Sequence, residues 1–322
     1  MGTQAMKYTR SEAKAYARDH MRGIWAAALT PFDADRALDE DGFIANIEHW
    51  TQELGISGLF ISGKQGEFAS MSIDERKRTM ELAVQATGEH AQTIMSVSDQ
   101  NLDVVLELAQ HSQRIGADYI VVHAPILHFQ HRQDETLVRY YEHIASSVDI
   151  GIALWSHPDS GYLMSPELCN RLADIETVVA IKYSVPRDMY AELTRLAADR
   201  IQVSTASEVE WLDNIIDLDW RLYLCSSPPF LLQTANDRRM FDYTQAAFAG
   251  RFDEAKRISA SLDPVRAALA DTRPAEKPHA HQKYWMELLG QRGGPVRRPL
   301  LELSEAERAA TRDAFERCGL QL

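Results

Sequence analysis

The chain reads as a (β/α)8 TIM barrel, an α/β fold, with a C-terminal helical extension. Three observations predict this. Eight short apolar runs alternate with amphipathic helical stretches across residues 23–250. The turn after the first run, Thr30-Pro31-Phe32-Asp33, lacks the glycine-rich phosphate loop that a doubly wound open sheet carries at that point. Lys182 ends the sixth run, Val178-Val179-Ala180-Ile181-Lys182, where a barrel strand opens onto the face that carries the chemistry of such folds.

The elements follow in order. Residues 1–22 are polar and mixed in charge and read as an N-terminal helical segment. Strands are expected at Gly23–Thr30, Gly58–Gly63, Thr93–Ser98, Tyr119–Ala124, Gly151–Ser156, Val178–Ser184, Ile201–Ser207 and Arg221–Ser226, each β-branched or apolar and bounded by turn residues. Helices are expected between them, among them Asp74–Thr87, Leu102–Ile115 and Glu135–Ser147. Ser72 with Glu75 reads as a capping box, and Ser165 before Pro166 as an N-cap with proline in the first turn. A helix over Pro228–Gly250 closes the barrel. Residues 251–322 form the extension, helical over Phe252–Ala270, Lys277–Gly290 and Ser304–Cys318, with a loop at Asp271–Pro278. Ser304 and Glu307 make a further capping box.

Composition narrows the function classes. The 322 residues are 45% hydrophobic and 25% charged, ordinary for a globular chain with a large core. A formal charge of −13 argues against nucleic acid and anionic membranes as partners. No apolar stretch approaches a membrane span, and residues 1–22 lack the apolar core of a signal peptide. Gly2 opens no myristoylation motif, because Met6 stands where that motif needs Ser or Thr. Cys169, Cys225 and Cys318 are distant and odd in number, which fits a reducing cytoplasm rather than a disulfide framework.

The chemistry centres on Lys182. Burial disfavours an ammonium, lowers its pKa and frees the amine to attack a carbonyl as a Schiff-base nucleophile. The other strand ends supply Gly63-Lys64-Gln65-Gly66-Glu67, Trp155-Ser156-His157-Pro158, Ser184, Ser207 and Cys225-Ser226-Ser227, with Tyr223 inside the eighth run as a further candidate. They hold no His, Asp and Glu cluster at metal-ligand spacing, so no metal is expected; His279 and His281 form an H-x-H without an evident third ligand. Trp155 offers a flat apolar wall for an unsaturated or aromatic partner. His157 suits acid–base work near neutral pH. Ser156, Ser184 and Ser207 can orient substrate or water, while Tyr223 and Cys225 are expected to line the pocket.

Several of these stretches resemble one family. Gly23-Ile-Trp-Ala-Ala-Ala-Leu-Thr-Pro-Phe32 opens the match, and Gly63–Glu67 resembles a Gly-Thr-Thr-Gly-Glu carboxylate-binding loop. Pro158, Lys182 and the tail Gly293-Gly-Pro-Val-Arg-Arg-Pro-Leu-Leu301 follow at the usual separations. Together they resemble the dihydrodipicolinate synthase / N-acetylneuraminate lyase superfamily of class I aldolases, over about Gly23 to Leu320. The resemblance implies that Lys182 is the Schiff-base lysine. It implies that Gly63, Lys64, Gln65 and Gly66 hold the carboxylate of pyruvate or another 2-oxo acid. It also implies a homotetramer, a dimer of dimers, without a cofactor, because the iminium is itself the electron sink.

The departures are as informative. In the synthases a tyrosine after strand five, a threonine of the glycine loop and a tyrosine from the neighbouring subunit relay protons. Trp155, Lys64 and Leu127 stand in those places. An indole is no general acid and leucine donates nothing. The arginine that grips the aldehyde's carboxylate is replaced by Asp159-Ser160-Gly161. Lysine-pathway synthase and sialic acid lyase activity are therefore not expected. Ser226-Ser227 resembles the strand-eight serine pair of family members that join pyruvate to aromatic aldehydes. Lys64 has three readings: a carboxylate ligand, a second cation lowering the pKa of Lys182, or a solvent-facing lysine paired with Glu67. The expected function is a Schiff-base lyase, aldolase or hydratase–aldolase, acting on a 2-oxo acid with a bulky aldehyde. The alternatives are a dehydratase or decarboxylase of a sugar-derived 2-oxo acid, and a homologue that binds a ligand without turnover.

Overall fold

The computed structural model describes residues 6–126 and 133–322. Its eight parallel strands are β1 Gly23–Ala27, β2 Gly58–Ile61, β3 Gln92–Ser96, β4 Tyr119–His123, β5 Gly151–Ser156, β6 Val178–Tyr183, β7 Gln202–Ser204 and β8 Leu222–Ser226. They pair in the order β7-β6-β5-β4-β3-β2-β1-β8. The seam between β7 and β8 is spanned by a side chain. Ser204 Oγ donates to the Leu222 carbonyl at 2.7 Å and accepts from the Leu224 N–H at 2.8 Å. A hydroxyl can do both at once, so the barrel closes.

The helices are α1 Ala13–His20, α2 Glu40–Gln52, α3 Ile73–Thr87, α4 Leu102–Arg114, α5 Gln133–Ser147, α6 Pro166–Leu172, α7 Arg187–Ala197, α8 Trp211–Leu218, α9 Pro228–Leu231, α10 Arg239–Phe248, α11 Phe252–Ser261, α12 Asp263–Asp271, α13 Pro278–Leu288 and α14 Glu305–Arg317. Ser72, Ser165 and Ser304 cap α3, α6 and α14 as their sequences require, the first and last with full capping boxes. Two expected helices are each broken in two. Pro228–Gly250 is interrupted between α9 and α10 by a Thr234–Asp237 bridge, where Thr234 Oγ1 accepts from the Asp237 N–H at 3.0 Å. Such side-chain capture of backbone donors competes with a helix. Phe252–Ala270 breaks at Asp263-Pro264, because proline lacks the N–H a continuous helix needs and instead starts α12.

Strand alternation sorts the core into two layers. Ile24, Leu59, Ile61, Ile120, Val122, Ile152 and Leu154 pack outward against the helices. Trp25, Phe60, Ile94, Tyr119, Val121 and Ala153 fill the barrel. The N-terminal segment plugs the lower end, with Tyr8, Ala13, Ala17 and Met21 joining the interior cluster. Tyr8 Oη donates to the Asp118 carbonyl at 2.5 Å and accepts from the Gly151 N–H at 2.8 Å.

One irregularity sets the site. Strict alternation along β6 from Val178, which faces outward, would turn Lys182 outward as well. The β5–β6 register shifts between Ile152 and Ala153, and Val179 and Ala180 both face the interior. Such a bulge reverses the phase of every later side chain. Ile181 then faces the helices, and Lys182 enters the barrel.

Candidate active site

Lys182 is 2% exposed at the upper end of β6. Its Nζ lies 4.6 Å from the Trp155 ring and 4.8 Å from the Phe60 ring. Burial is the main force holding its pKa below the ordinary lysine value; Cys225 opposes the shift and Lys64 adds to it. Two aromatic walls and no carboxylate partner among the described residues leave the amine poised to lose its proton. Gly63 is needed for this packing, because a Cβ there would lie 1.8 Å from the Phe60 ring.

Parallel pairing places His123, Trp155, Lys182 and Ser204 side by side on β4, β5, β6 and β7. The His123 ring meets Trp155 edge to face at 4.6 Å. Its Nδ1 donates to the Ala124 carbonyl at 2.7 Å, which leaves Nε2 as the acceptor of the neutral ring. Burial lowers the pKa of His123 and also that of His157. His157 Nδ1 lies 3.1 Å from the Asp159 N–H and 3.2 Å from Asp159 Oδ1, so Asp159 sets where its proton sits. Asp159 also pairs with Lys64.

The glycine loop is gripped from the far end of the sequence. Glu67, in left-handed backbone with φ of 59°, pairs with Lys283 at 2.5 Å, and both side chains are at most 1% exposed. Its other carboxylate oxygen accepts from the Arg297 N–H at 2.8 Å. Lys283 also donates to the Pro295 carbonyl at 2.8 Å. His279 Nε2 donates to the Lys64 carbonyl at 2.9 Å. Thr30 Oγ1 donates to the Gly66 carbonyl at 3.0 Å. The extension thus fixes the loop against the barrel.

A cavity of about 530 Å³ opens over Lys182, lined by Lys64, Gln65, Trp155, His157, Ser184 and, from the extension, Arg273, His279 and Gln282 among others. A second, of about 450 Å³, shares Lys64 and Trp155 with it and adds apolar wall from Phe68, Pro125 and Ile126, with His123. Four buried polar atoms on residues lining the first cavity have no partner among the described residues: Trp155 Nε1, Ser184 Oγ, Gln65 Oε1 and His279 Nδ1.

The structure therefore brings together Lys182, Trp155, His157, Lys64, Gln65 and Ser184, with Gly63 and Gly66 shaping the loop. Cys225 is in the interior cluster near Lys182, its thiol pushed up to about 11 by burial. Other expected site residues do not line the cavity. Ser156 Oγ is occupied by the Met164 N–H at 3.0 Å. Tyr223 faces the helix layer, its hydroxyl donating to the Ala206 carbonyl at 3.0 Å and bonded to Ser226 Oγ. Ser207 lies in the loop after β7, where its neighbour Ala206 lines the cavity instead. Leu127 lies outside the described residues. The Lys64–Glu67 pairing does not form; each has a different partner.

Sequence reasoning missed His123, Arg273 and Gln282. His123 is legible in the sequence: Tyr119, Val121 and His123 alternate inward, and the strand ends at His123, one residue before the expected Ala124. Arg273 and Gln282 carry no local signal, because only the tertiary fold brings the extension over the barrel.

The model of the Dihydrodipicolinate synthetase family matches residues 20–317. A 4-hydroxy-tetrahydrodipicolinate synthase of Methanothrix thermoacetophila is 28% identical over 298 residues, 91% of this chain and 96% of that protein. One from Rhizobium meliloti is 29% identical over 297 residues, with coverage of 91% and 96%. Among solved structures, the Escherichia coli K12 prophage protein YagE in complex with pyruvate superposes with a TM-score of 0.81 at 23% identity, covering 93% of this chain and 99% of that one. CdNal of Clostridium difficile in complex with mannosamine gives 0.81 at 21% identity, covering 92% and 98%. The match to the family runs through the glycine loop, β6 and Lys182 to the clamp on Glu67, and the chain belongs to the dihydrodipicolinate synthetase family of aldolase-type lyases.

Proposed function

We propose that the protein is a Schiff-base-forming lyase, an aldolase or hydratase–aldolase, that acts on pyruvate or another 2-oxo acid through Lys182. The observation that carries this reading is the buried amine between Trp155 and Phe60, with its pKa held down, at the floor of an open cavity. The neutral amine adds to the C2 carbonyl, and loss of water gives an iminium. Removal of a C3 proton gives an enamine, with the iminium nitrogen taking the electron pair. The enamine then adds to an aldehyde, or the reverse step cleaves that bond. The Gly63–Gly66 loop and Lys64 receive the 2-oxo acid's carboxylate. His157 is placed to move protons, and the Trp155 N–H to hold a substrate oxygen. The apolar wall of the second cavity favours a bulky partner aldehyde.

A dehydratase of a sugar-derived 2-oxo acid is the second reading. Gln65 Oε1 and His279 Nδ1 favour it, because both can accept from substrate hydroxyls. Exchange of the pyruvate methyl protons with D2O, followed by NMR, tests enamine formation. Exchange should occur and stop in Lys182→Ala; no exchange in the unmodified protein would leave a ligand-binding role. Product analysis with aromatic aldehydes, aspartate semialdehyde and sugar-derived 2-oxo acids then separates the chemistries. Aspartate semialdehyde should give negligible condensation, since Trp155 stands where the synthases place a tyrosine. A cytoplasmic homotetramer is the expected state, and sedimentation velocity checks the assembly. Among the described residues no helix is long and apolar enough to cross a membrane, and the three cysteines are free and buried.

A further inference from the structure

The cavity over Lys182 has an unusual charge for this chain. The protein carries a net −13, yet among the described residues no Asp or Glu lines that cavity, while Lys64 and Arg273 line it besides Lys182. The two cations are not equivalent. Lys64 is neutralised by Asp159. The Arg273 guanidinium has neither an ion pair nor a side-chain hydrogen bond among the described residues; only its backbone N–H is engaged, with the Ala270 carbonyl at 3.3 Å.

The segment that carries Arg273 is pinned on both sides. Thr272 Oγ1 donates to the Ala268 carbonyl at 2.8 Å and accepts from His281 Nε2 at 2.8 Å. Lys277, at the end of the loop, pairs with Glu307 at 2.7 Å. An arginine on a fixed loop, at the solvent-facing rim of a cavity without acids, is a preorganised donor fork for a planar anion. The same cavity holds a further unmet donor: Trp155, 4% exposed and lining it, has an indole N–H with no acceptor among the described residues.

We propose that Arg273 is a specificity-determining residue that binds a second carboxylate, at the far end of a 2-oxo acid held at Lys182. This rests on the lyase reading and deepens it: the substrate class becomes a 2-oxo dicarboxylate. One carboxylate sits beside the 2-oxo group at the Gly63–Gly66 loop. The other lies on the wall contributed by the extension. The chain dispenses with an arginine after β5, where Asp159-Ser160-Gly161 stands, and presents one from the loop between α12 and α13.

The test separates this subsite from the chemistry. Calorimetric titration with glutarate, a dicarboxylate without an oxo group, needs no imine and reads the subsite alone. Borohydride trapping with pyruvate and with 2-oxoglutarate reads the subsite through the amine. Arg273→Gln should weaken glutarate binding and raise the half-saturating 2-oxoglutarate concentration about tenfold, about 1.4 kcal/mol, and leave pyruvate trapping within about twofold. Arg273→Lys should recover part of the loss, since it keeps the charge and loses the fork. An Arg273→Gln protein that binds glutarate as the unmodified protein does, or that loses pyruvate and 2-oxoglutarate trapping equally, overturns the proposal. So does an unmodified protein that traps pyruvate and excludes 2-oxoglutarate. Failure to trap either keto acid in the unmodified protein refutes the lyase reading instead, and the glutarate titration still decides the subsite.

Discussion

Replacing Glu67 by Gln should destabilise the protein and loosen its ligand loop together. Glu67 and Lys283 form an ion pair at 2.5 Å with both side chains at most 1% exposed. Removing one charge of a buried pair strands the other, which typically costs about 3–5 kcal/mol. The structure sets a ceiling on that cost. Burial already lowers the pKa of Lys283, and Glu67 is its main opposing influence. Without Glu67 the lysine can fold as the neutral amine, and giving up its proton at pH 7 costs at most about 5 kcal/mol, at about 1.4 kcal/mol for each pH unit below its ordinary value. Glutamine can still accept from the Arg297 N–H, and Lys283 keeps the Pro295 carbonyl, so a loss of about 3 kcal/mol is expected at pH 7. The unfolded chain then binds one more proton than the folded one. Stability of the variant therefore rises relative to the unmodified protein as pH rises, and at pH 9 the loss should fall to about 2 kcal/mol or less. Urea unfolding at the two pH values measures this. Pyruvate affinity should fall as well, because the same carboxylate anchors the glycine loop. The double change Glu67→Gln, Lys283→Met should recover much of the stability. A loss under about 1 kcal/mol, or one that does not vary with pH, would refute the reasoning.

Three further outcomes follow from the same geometry. Gly63→Ala should cost about 1–3 kcal/mol by urea unfolding and slow imine formation, because the new methyl displaces the Phe60 ring from Lys182; an unchanged rate would show that Phe60 does not set the amine's environment. Lys64→Met should raise the dissociation constant of 2-oxo acids. It should shift the acidic limb of imine formation only slightly upward, since Lys64 contributes less than burial to the lowered pKa of Lys182; a large shift would favour charge repulsion over carboxylate binding. Lys182→Met should stabilise the protein at neutral pH. The folded-state pKa is lowered, so the penalty of burying the ammonium is full below that value, declines as pH rises, and is gone above 10.5; a gain that persists at pH 11 would contradict the shift.

Much of the fold was legible in the sequence. Alternating apolar runs and capping residues mark the barrel, and a lysine at a strand end marks the nucleophile. What escaped is tertiary. The bulge that turns Lys182 inward lies inside an unbroken apolar run, Val178 to Ile181, where either phase looks equally good. The helix break at Pro264 carries a local signal, the proline itself, and the one at Thr234 depends on a side-chain capture that spacing does not reveal. Ser156 sits at its strand end as expected, and Tyr223 lies within β8, but both are consumed by structural hydrogen bonds. The partners of Glu67 and Lys64 could not be chosen from the sequence, because Lys283 and Asp159 meet them only through folding.

The most direct measurement is borohydride reduction with pyruvate, followed by peptide mass mapping. A single reduced pyruvyl adduct on Lys182, absent from Lys182→Ala, is the expected result. Its environment supports this, with the amine buried between Phe60 and Trp155 and its pKa lowered, whereas Lys64 is half-exposed and paired with Asp159. An adduct on Lys64, or none at all, would contradict the assignment of Lys182 as the imine-forming residue.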